Sequence, residues 1–361
     1  MTWFPDTPYN DLPALPPPSN LQTPRVFTAL IKARTALAGL NEALVSLPNP
    51  SVFLQTLSLL EAQASSEIES IVTTTDDLFR AATLSETATP ATKEALRYRV
   101  ALFRGLDAMR DRQGILTGNT AATICTALRG TETSIRSTEG TFIGNPATGR
   151  RIYTPPEGTI VIHDKLSEWE KFVNEPSELD PLVRIALSHY QFEAIHPFDD
   201  GNGRTGRILN ALMMVSYGLL SDPILYVSQG VIARKNDYYR LFNAVTAEQA
   251  WEDWTVFMVE VVGETAVNTL DKIKKIQRLQ GELRESLPAQ APAGLVDLLF
   301  AEPYCRIRDV VEKCEVTRPT ATKYLNNLVE QGVLVQERVG REKLFINVEF
   351  MEILRGVRGS F

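Results

Sequence analysis

Residues 195–207 read IHPFDDGNGRTGR, a polar, glycine-rich stretch between two apolar segments. The apolar pattern predicts one helix that ends at Ala194 and another that begins near Gly203. The first N–H groups of a helix lack intrahelical partners and carry the positive end of the helix dipole, so they form an anion site. Glycines at 201 and 203 let a phosphate approach the backbone closely. The stretch therefore predicts a phosphate-binding loop at the start of a helix.

The charged side chains of this stretch suit a polyphosphate and its cation. Arg204 and Arg207 are three residues apart, so on a helix they share a face from which both reach phosphate oxygens. Asp200 supplies a hard oxygen ligand for Mg²⁺. His196 titrates near neutral pH and can take a proton from a hydroxyl group. A plain glycine turn between helices is the alternative, but this many functional side chains within twelve residues favour a phosphate site.

Residues 196–207, HPFDDGNGRTGR, resemble the signature of the Fic domain, HxFx(D/E)GNGRxxR, at every defining position. Members of that family are mostly adenylyltransferases that move AMP from ATP to a hydroxyl side chain of a protein. The resemblance implies that His196 deprotonates the target hydroxyl and that Asp200 holds Mg²⁺ on the α- and β-phosphates. It also implies an anion hole and ATP-binding residues made of Gly201, Asn202, Gly203, Arg204, Thr205, Gly206 and Arg207, with the two arginines on the β- and γ-phosphates.

A second motif lies upstream, where residues 65–70 read SSEIES. It resembles the inhibitory helix motif of the same family, (S/T)xxxE(G/N), with Ser65 and Glu69 on one helix face. The resemblance implies that Glu69 pairs with Arg207 and denies this guanidinium to the γ-phosphate, because two anions compete for one cation. Ser70 departs from the motif, which has Gly or Asn there. A solvated helix face is the alternative interpretation.

Between the helices, one segment has strand character. Short β-branched or aromatic runs at 141–143 and 151–153 flank a turn cluster, and this pattern predicts a β-hairpin. The hairpin resembles the Fic flap, which implies that a target chain adds to it as a strand; an ordinary surface hairpin is the alternative. The implied contact residues are Ile143, Ile152 and Tyr153. Tyr238 and Tyr239 fall where family members contact the nucleoside, although an aromatic pair on an amphipathic helix also suits a core.

The C-terminal part of the chain, residues 294–361, predicts a winged helix-turn-helix domain. A first helix is expected over Cys305–Lys313 and a second after the N-cap Thr317, followed by a hairpin. Basic side chains occur where such domains meet DNA: Arg318, Lys323, Arg338, Arg341 and Lys343. Residues 290–361 nevertheless hold ten Lys+Arg against ten Asp+Glu, and duplex affinity depends on neutralising phosphates. DNA binding and a role in homodimer formation or target docking both stay open.

Composition bounds the class of protein. The chain has 361 residues and a net charge of −7, which argues against a protein that coats nucleic acid. Three cysteines without a CxxC pair fit a reducing compartment. No signal peptide is recognised, and the apolar stretch 208–220 is too short to span a bilayer. We therefore expect a cytoplasmic protein without a membrane partner.

Helical periodicity covers most of the chain after a proline-rich start. Residues 1–24 hold seven of the 21 prolines and predict an irregular arm that is not packed. Helices are expected to begin near Arg25 and to cover Val52–Ser70, Pro90–Asp111, Lys165–Asn174, Pro181–Ala194, Gly203–Tyr217, Lys235–Thr246 and Ala250–Leu287. Prolines at 288 and 292 indicate a linker.

These features predict a mainly α fold: a Fic-type helical bundle with a β-hairpin flap, plus a C-terminal winged helix-turn-helix domain. The expected domains are 1–110 with the inhibitory helix, 111–285 as the catalytic core, and 286–361. The expected function is transfer of AMP from ATP, with Mg²⁺, to Ser, Thr or Tyr of a target protein and of the chain itself. The alternative is a DNA-binding transcriptional regulator whose Fic-like domain only senses nucleotide. A metallohydrolase using His163, His189 and His196 is disfavoured, because their spacing is not that of a zinc site.

Overall fold

The computed structural model describes residues 3–47, 49–84, 88–144, 151–340 and 342–356. Helices dominate this part of the chain. The N-terminal helices are α1 (Pro24–Val45), α2 (Pro50–Ile68), α3 (Thr75–Leu84), α4 (Pro90–Arg110) and α5 (Gly118–Arg129). A short hairpin, β1 (Ile143–Gly144) and β2 (Arg151–Tyr153), precedes the central helices α6 (Thr159–Asn174), α7 (Pro181–Ile195), α8 (Asn202–Ser216), α9 (Ser228–Ala233), α10 (Lys235–Glu248) and α11 (Trp251–Ser286).

The C-terminal part alternates short helices and strands. Its elements are α12 (Leu295–Ala301), β3 (Tyr304–Arg306), α13 (Ile307–Lys313), α14 (Arg318–Glu330), β4 (Leu334–Val339), β5 (Glu342–Asn347) and α15 (Val348–Arg355). The three strands form an antiparallel sheet in the order β3-β5-β4, in which Tyr304 pairs with Ile346 and Leu334 with Asn347. Two helices, α13 and α14, precede the hairpin of β4 and β5, and β3 pairs with the other edge of β5.

Several helices begin with the same local signal. Proline is the first residue of α1, α4 and α7, where its missing N–H has no intrahelical partner to lose. The residue before each proline is an N-cap: Thr23, Thr89 and Asp180 accept from backbone N–H groups of the first turn. Thr317 caps α14 in the same way through the N–H of Thr320. These boundaries are therefore readable from the sequence.

The centre of the bundle is α7, which is buried on every side from Leu182 to Ile195. Two tryptophan indoles fix its neighbours to it: Trp169 of α6 donates to the Ser188 carbonyl at 3.1 Å, and Trp254 of α11 donates to the Ala186 carbonyl at 2.8 Å. A helix that is buried on every side is a core element, although this one also buries polar side chains such as Arg184, His189 and Glu193. The loop at the end of α7 consequently starts from a rigid base.

The N-terminal arm is irregular, as expected, but the prediction that it is not packed is wrong. Leu12 and Leu21 are buried. The Trp3 ring stacks on the ring of Tyr153 with centroids 6.3 Å apart, and the Tyr9 N–H donates to the Thr154 carbonyl at 3.1 Å. Prolines prevent regular structure, yet apolar side chains between them still bury against the hairpin and core.

Two further predictions need correction. α6 begins at Thr159 rather than Lys165, because apolar Ile162 already faces the core. The helix expected over Cys305–Lys313 is divided: Cys305 and Arg306 belong to β3, and α13 begins at Ile307. Among the helices of the described residues, none combines the length and the apolar character that crossing a bilayer requires.

Candidate active site

The loop between α7 and α8 is held in shape by one amide side chain. α7 ends at Ile195, and its C-cap, His196, has a φ of 51°, which lies in the left-handed region. α8 begins after Gly201, whose φ of 85° costs a glycine little. The Asn202 side chain accepts from the Phe198 N–H at 2.8 Å and donates to the Phe198 carbonyl at 2.7 Å. These two bonds close the loop, so the Asn202 amide group shapes the anion site by fixing its backbone.

An acidic side chain lies against the N-terminus of α8. A Cβ atom on Gly203 would overlap Oε1 of Glu69, so this glycine makes room for the carboxylate. Arg207 donates to the same Oε1 at 2.8 Å, and it also donates to the Ser65 hydroxyl at 2.8 Å and the Ser65 carbonyl at 3.0 Å. Desolvation raises the pKa of Glu69, but the charge and hydrogen bond of Arg207 outweigh it and bring the pKa below its ordinary value. At neutral pH the end of α2 therefore places an anion at a helix N-terminus.

The first motif arginine has different partners. The Arg204 side chain is only 3% exposed and donates to Glu94 of α4 at 2.5 Å, with Asp200 Oδ1 at 3.8 Å from its other amino group. Sequence reasoning missed Glu94, which lies on a separate helix. Although Arg204 and Arg207 share a helix face, each is thus paired with its own carboxylate.

Asp200 is the candidate metal ligand, and its side chain is 65% exposed. No group of three His, Cys, Asp or Glu side chains within the described residues could hold a metal ion. Protein-bound Mg²⁺ commonly uses one or two carboxylates and completes its shell with substrate phosphates and water. An exposed, hard carboxylate beside an anion site fits a cation of that kind, which arrives with a nucleotide.

His196 lies at the mouth of the loop and is only partly exposed. Desolvation lowers its pKa to about 4, and the charge of Arg136 acts in the same direction. A hydrogen bond to the backbone of Glu193 acts in the opposite direction but does not outweigh the desolvation. The imidazole is consequently neutral at pH 7 and can accept a proton.

The hairpin predicted around residues 142–154 is present, and residues 145–150 of it lie outside the described residues. Ile143 pairs with Tyr153 across the two strands, and Ile143 and Ile152 are half-buried. Tyr153 is fully buried, and its hydroxyl donates to the Ala194 carbonyl at 2.9 Å. The Tyr153 side chain therefore fastens the hairpin to α7, and only the other two residues offer side-chain surface.

Tyr238 and Tyr239 lie on α10 in different surroundings. Tyr238 is buried, its hydroxyl lies 2.9 Å from Nε2 of His189, and its ring packs on Trp254. Tyr239 is 41% exposed. Desolvation raises the pKa of Tyr239 to about 12, and the nearby charge of Glu69 adds to the shift. Tyr239 therefore has exposed side-chain surface, whereas Tyr238 belongs to the core.

Thr205 and Gly206 face the interior of the bundle. Thr205 is fully buried, and a Cβ atom on Gly206 would come within 2.7 Å of Glu193 Oε1 and 3.3 Å of the Phe192 ring. Gly206 thus lets α7 and α8 approach closely. Glu193, which sequence reasoning missed, is buried without a hydrogen-bond partner for Oε1 in the part of the chain that is described, and desolvation raises its pKa to about 8.

Comparison with known families agrees with this geometry. Residues 119–214 match the Fic/DOC family, residues 27–107 match the Fic/DOC family N-terminal domain, and residues 275–350 match the C-terminal domain of SoFic-like protein adenylyltransferases. In chain order, the three matches give the chain an N-terminal Fic region, a Fic domain and a SoFic-like C-terminal domain.

Curated relatives are similar over short segments. Protein adenylyltransferase fic-1 of Caenorhabditis elegans is 40% identical over 68 residues, which are 18% of this chain and 13% of that one. A probable protein adenylyltransferase of Aquifex aeolicus is 34% identical over 73 residues, 20% of this chain and 22% of that one. The chain thus matches less than a quarter of the length of either relative.

Solved structures share the fold over a longer range. A Fic family protein of Desulfovibrio desulfuricans covers 92% of this chain and 98% of its own, with a TM-score of 0.54 and 20% identity. Residues 134–508 of Fic-1 from C. elegans cover 73% of this chain and 76% of that one, with a TM-score of 0.52 and 20% identity. The described chain therefore has a Fic fold.

Proposed function

We propose that this chain is a protein adenylyltransferase held in an inhibited state by Glu69. One observation carries the proposal: a carboxylate lies at the N-terminus of α8, bound to Arg207, in a site whose other features suit a phosphate. Helix N-termini bind phosphates and carboxylates through the same N–H groups and the same dipole. Glu69 thus occupies the position that a terminal phosphate of ATP takes in the active state.

Release of Glu69 frees two elements for a triphosphate. The guanidinium of Arg207 becomes available for a bidentate contact, and the backbone around Gly203 becomes open to a phosphate oxygen. Arg204 is held near the same helix end by Glu94. With the terminal phosphates fixed at α8, the α-phosphate lies toward the His196 end of the loop.

The transfer step then needs a base and a leaving group. The hydroxyl oxygen of the target forms a bond to the α-phosphorus. The bond between the α-phosphorus and the oxygen that bridges it to the β-phosphorus breaks, and pyrophosphate departs. The hydroxyl proton passes to the neutral imidazole of His196. Asp200 would hold Mg²⁺, which neutralises phosphate charge when it is bound. Positioning and charge stabilisation supply most of the catalysis in phosphoryl-type transfers.

Target binding would use the hairpin. The strands β1 and β2 are short, and their isoleucines, Ile143 and Ile152, are half-buried. A target segment that adds to the edge of this hairpin by main-chain hydrogen bonds brings a Ser, Thr or Tyr hydroxyl to the loop. The chain's own hydroxyl groups are candidates for the same reaction, and its three unpaired cysteines suit a reducing cytoplasm.

The test is transfer of label from [α-³²P]ATP with Mg²⁺. We expect weak self-labelling of the wild type, stronger labelling of Glu69→Gly, and none of Glu69→Gly/His196→Ala. Glu67→Gly is the matched control, because Glu67 lies two residues before Glu69 at the end of α2 and is exposed. Equal labelling of Glu69→Gly and Glu67→Gly would contradict inhibition, and no label in any variant would contradict transfer.

A DNA-binding regulator that only senses nucleotide is the second candidate. Arg318 and Lys323 on α14 and Arg338 on β4 are exposed and form no ion pair among the described residues. Such unpaired cations suit contact with phosphates or with an acidic partner surface, including a second copy of the chain. A salt-dependent gel shift on duplex DNA, without label transfer from ATP, would favour this candidate.

A further inference from the structure

Four consecutive carbonyl groups at the end of α7 and just after it accept hydrogen bonds from the hairpin and from the segment that leads into it. The carbonyls of residues 194–197 accept, in order, from the Tyr153 hydroxyl at 2.9 Å, Arg136 Nη2 at 3.3 Å, Arg136 Nε at 2.7 Å and the Arg136 backbone N–H at 2.9 Å. Three of these four donors belong to Arg136. The backbone of His196 is therefore tied to the segment that leads into the hairpin.

Arg136 also reaches the segment that leaves the hairpin. Its Nη2 donates to the Pro156 carbonyl at 2.5 Å. Arg136 precedes β1, whereas Pro156 follows β2. Arg136 is only 2% exposed. Its guanidinium thus joins the segments before and after the hairpin to the loop that carries His196.

The backbone of His196 needs such support. A residue other than glycine in the left-handed region costs roughly 1–2 kcal/mol, and the last carbonyls of a helix have no intrahelical partners. A guanidinium at the end of α7 supplies those partners and places a cation where the helix dipole favours it. The φ and ψ of His196 set the direction of its Cα–Cβ bond, so the same contacts set the direction of the imidazole.

We propose that Arg136 is a positioning residue, which holds the imidazole of His196 in register with a hydroxyl presented along the hairpin. This inference rests on the proposed function. Arg136 does not reach the phosphates; it fixes the distance between the base and the strand that carries the target. Loss of a positioning contact of this kind lowers the rate of transfer while nucleotide binding, which is located at α8, continues.

The charges around His196 give the inference a second readout. Arg136 is a cation on the α7 side of the imidazole, whereas the nearby anions are Glu69 at the end of α2 and Asp200 in the loop. A cation disfavours the protonated imidazole, so removal of the Arg136 charge raises the pKa of His196. Lysine at this position keeps the charge and loses the fork of donors that spans several carbonyls.

Arg184 offers a matched control. It is also a buried guanidinium whose Nη2 caps a helix C-terminus, with bonds to the carbonyls of Phe172, Val173 and Glu175 at 2.7, 2.9 and 2.8 Å. It lies twelve residues before His196 on α7, about 18 Å away at 1.5 Å per residue. Arg184→Gln therefore reports the effect of losing a structural cap of the same chemistry far from the site.

The experiment compares Arg136→Gln, Arg136→Lys and Arg184→Gln, each combined with Glu69→Gly, in steady-state AMP transfer. We expect Arg136→Gln to lower kcat by about tenfold or more, since small misplacements of reacting groups can cost ~100-fold. The KM for ATP should stay within about twofold, as expected when ground-state binding is kept. Arg184→Gln should keep kcat for the folded fraction of the protein.

Titration of the imidazoles by NMR provides the readout that does not need activity. The chain has only three histidines, and a His196→Ala variant identifies the signal. We expect the pKa of His196 to rise in Arg136→Gln and to stay low in Arg136→Lys and Arg184→Gln. The inference is overturned if Arg136→Gln loses no more kcat than Arg184→Gln does. It is also overturned if the pKa of His196 does not change in Arg136→Gln. If the Glu69→Gly parent transfers no AMP, the proposed function fails, and the titration alone decides the role of Arg136.

Discussion

Glu69 and Arg207, 138 residues apart in the sequence, meet at 2.8 Å beside the N-terminus of α8. The contact joins the end of one helix to the second turn of another, and Gly203 leaves the space in which the carboxylate lies. The same guanidinium holds the Ser65 hydroxyl and carbonyl. Arg207 is therefore the point at which the inhibitory helix and the phosphate site share one cation.

Glu69→Gly should raise AMP transfer. A charge-assisted hydrogen bond contributes about 1.5–3 kcal/mol, so its loss should raise the fraction of correctly bound ATP by roughly tenfold or more. The measurement is the initial rate of self-labelling at a subsaturating ATP concentration. A rate equal to that of Glu67→Gly would show that Glu69 does not restrain the site.

The activity of Glu69→Gly should persist in mildly acidic solution. His196 must be neutral to accept a proton, and its pKa of about 4 keeps it neutral well below pH 6. We expect the acid limb of the kcat profile to have its midpoint below pH 5.5. A midpoint near 6.5, the ordinary value for histidine, would show that the imidazole is solvated in the working enzyme.

Glu193→Gln should stabilise the protein in alkaline solution. The folded-state pKa of Glu193 is raised from 4.5 to about 8 by desolvation, so the unfolded chain loses this proton first as the pH rises. The contribution of Glu193 to the free energy of unfolding is fully present below pH 4.5. It declines as the pH rises toward 8, by up to about 1.4 kcal/mol per pH unit. Chemical unfolding should show Glu193→Gln to be more stable than wild type at pH 8 and nearly equal at pH 4.5. Equal stability at both values would contradict a neutral, buried Glu193.

Contacts of the C-terminal domain with α3 should support inhibition. Arg80 forms a two-bond pair with Glu337 of β4 at 3.0 and 2.8 Å, and Asp76 accepts from Tyr304 of β3 and from Arg355. Since α3 follows directly on the inhibitory helix, its anchors restrain the segment that carries Glu69. Arg80→Ala removes roughly 0.5–1 kcal/mol of pairing, so basal self-labelling should rise about two- to fivefold.

The control for that variant is Lys275→Ala, which breaks an exposed pair with Asp271 within α11. We expect its self-labelling to equal that of the wild type. Equal labelling of Arg80→Ala and Lys275→Ala would show that the C-terminal domain does not restrain α3.

Local signals made much of the fold predictable. The apolar pattern gave the buried helices around the loop and the starts of α4 and α7, and it placed the start of α1 one residue late, near Arg25. α6 and the strand β3 were misplaced, because both depend on contacts with distant parts of the chain. The packed arm was missed for the same reason: Trp3 finds its partner, Tyr153, 150 positions away in the sequence.

The candidate site was predictable only where its residues lie in recognisable motifs. The pairing of Glu69 with Arg207 is present as expected, whereas Arg136 and Glu94 carry no sequence signal that separates them from surface charges. Their roles arise from burial and from carbonyl and guanidinium partners on other elements. The assignments of substrate and cation contacts to individual residues stay predictions.

The most direct test of the account is the intact mass of Glu69→Gly after incubation with ATP and Mg²⁺. If a neutral His196 faces a triphosphate bound at α8, Glu69→Gly should gain the mass of one AMP group. Glu69→Gly/His196→Ala should gain no mass. Glu69→Gly should also gain none with an ATP analogue whose α,β-bridge cannot be cleaved. The incubation is repeated with a range of candidate protein targets. If neither Glu69→Gly nor any of these targets gains AMP, the result contradicts AMP transfer by this chain.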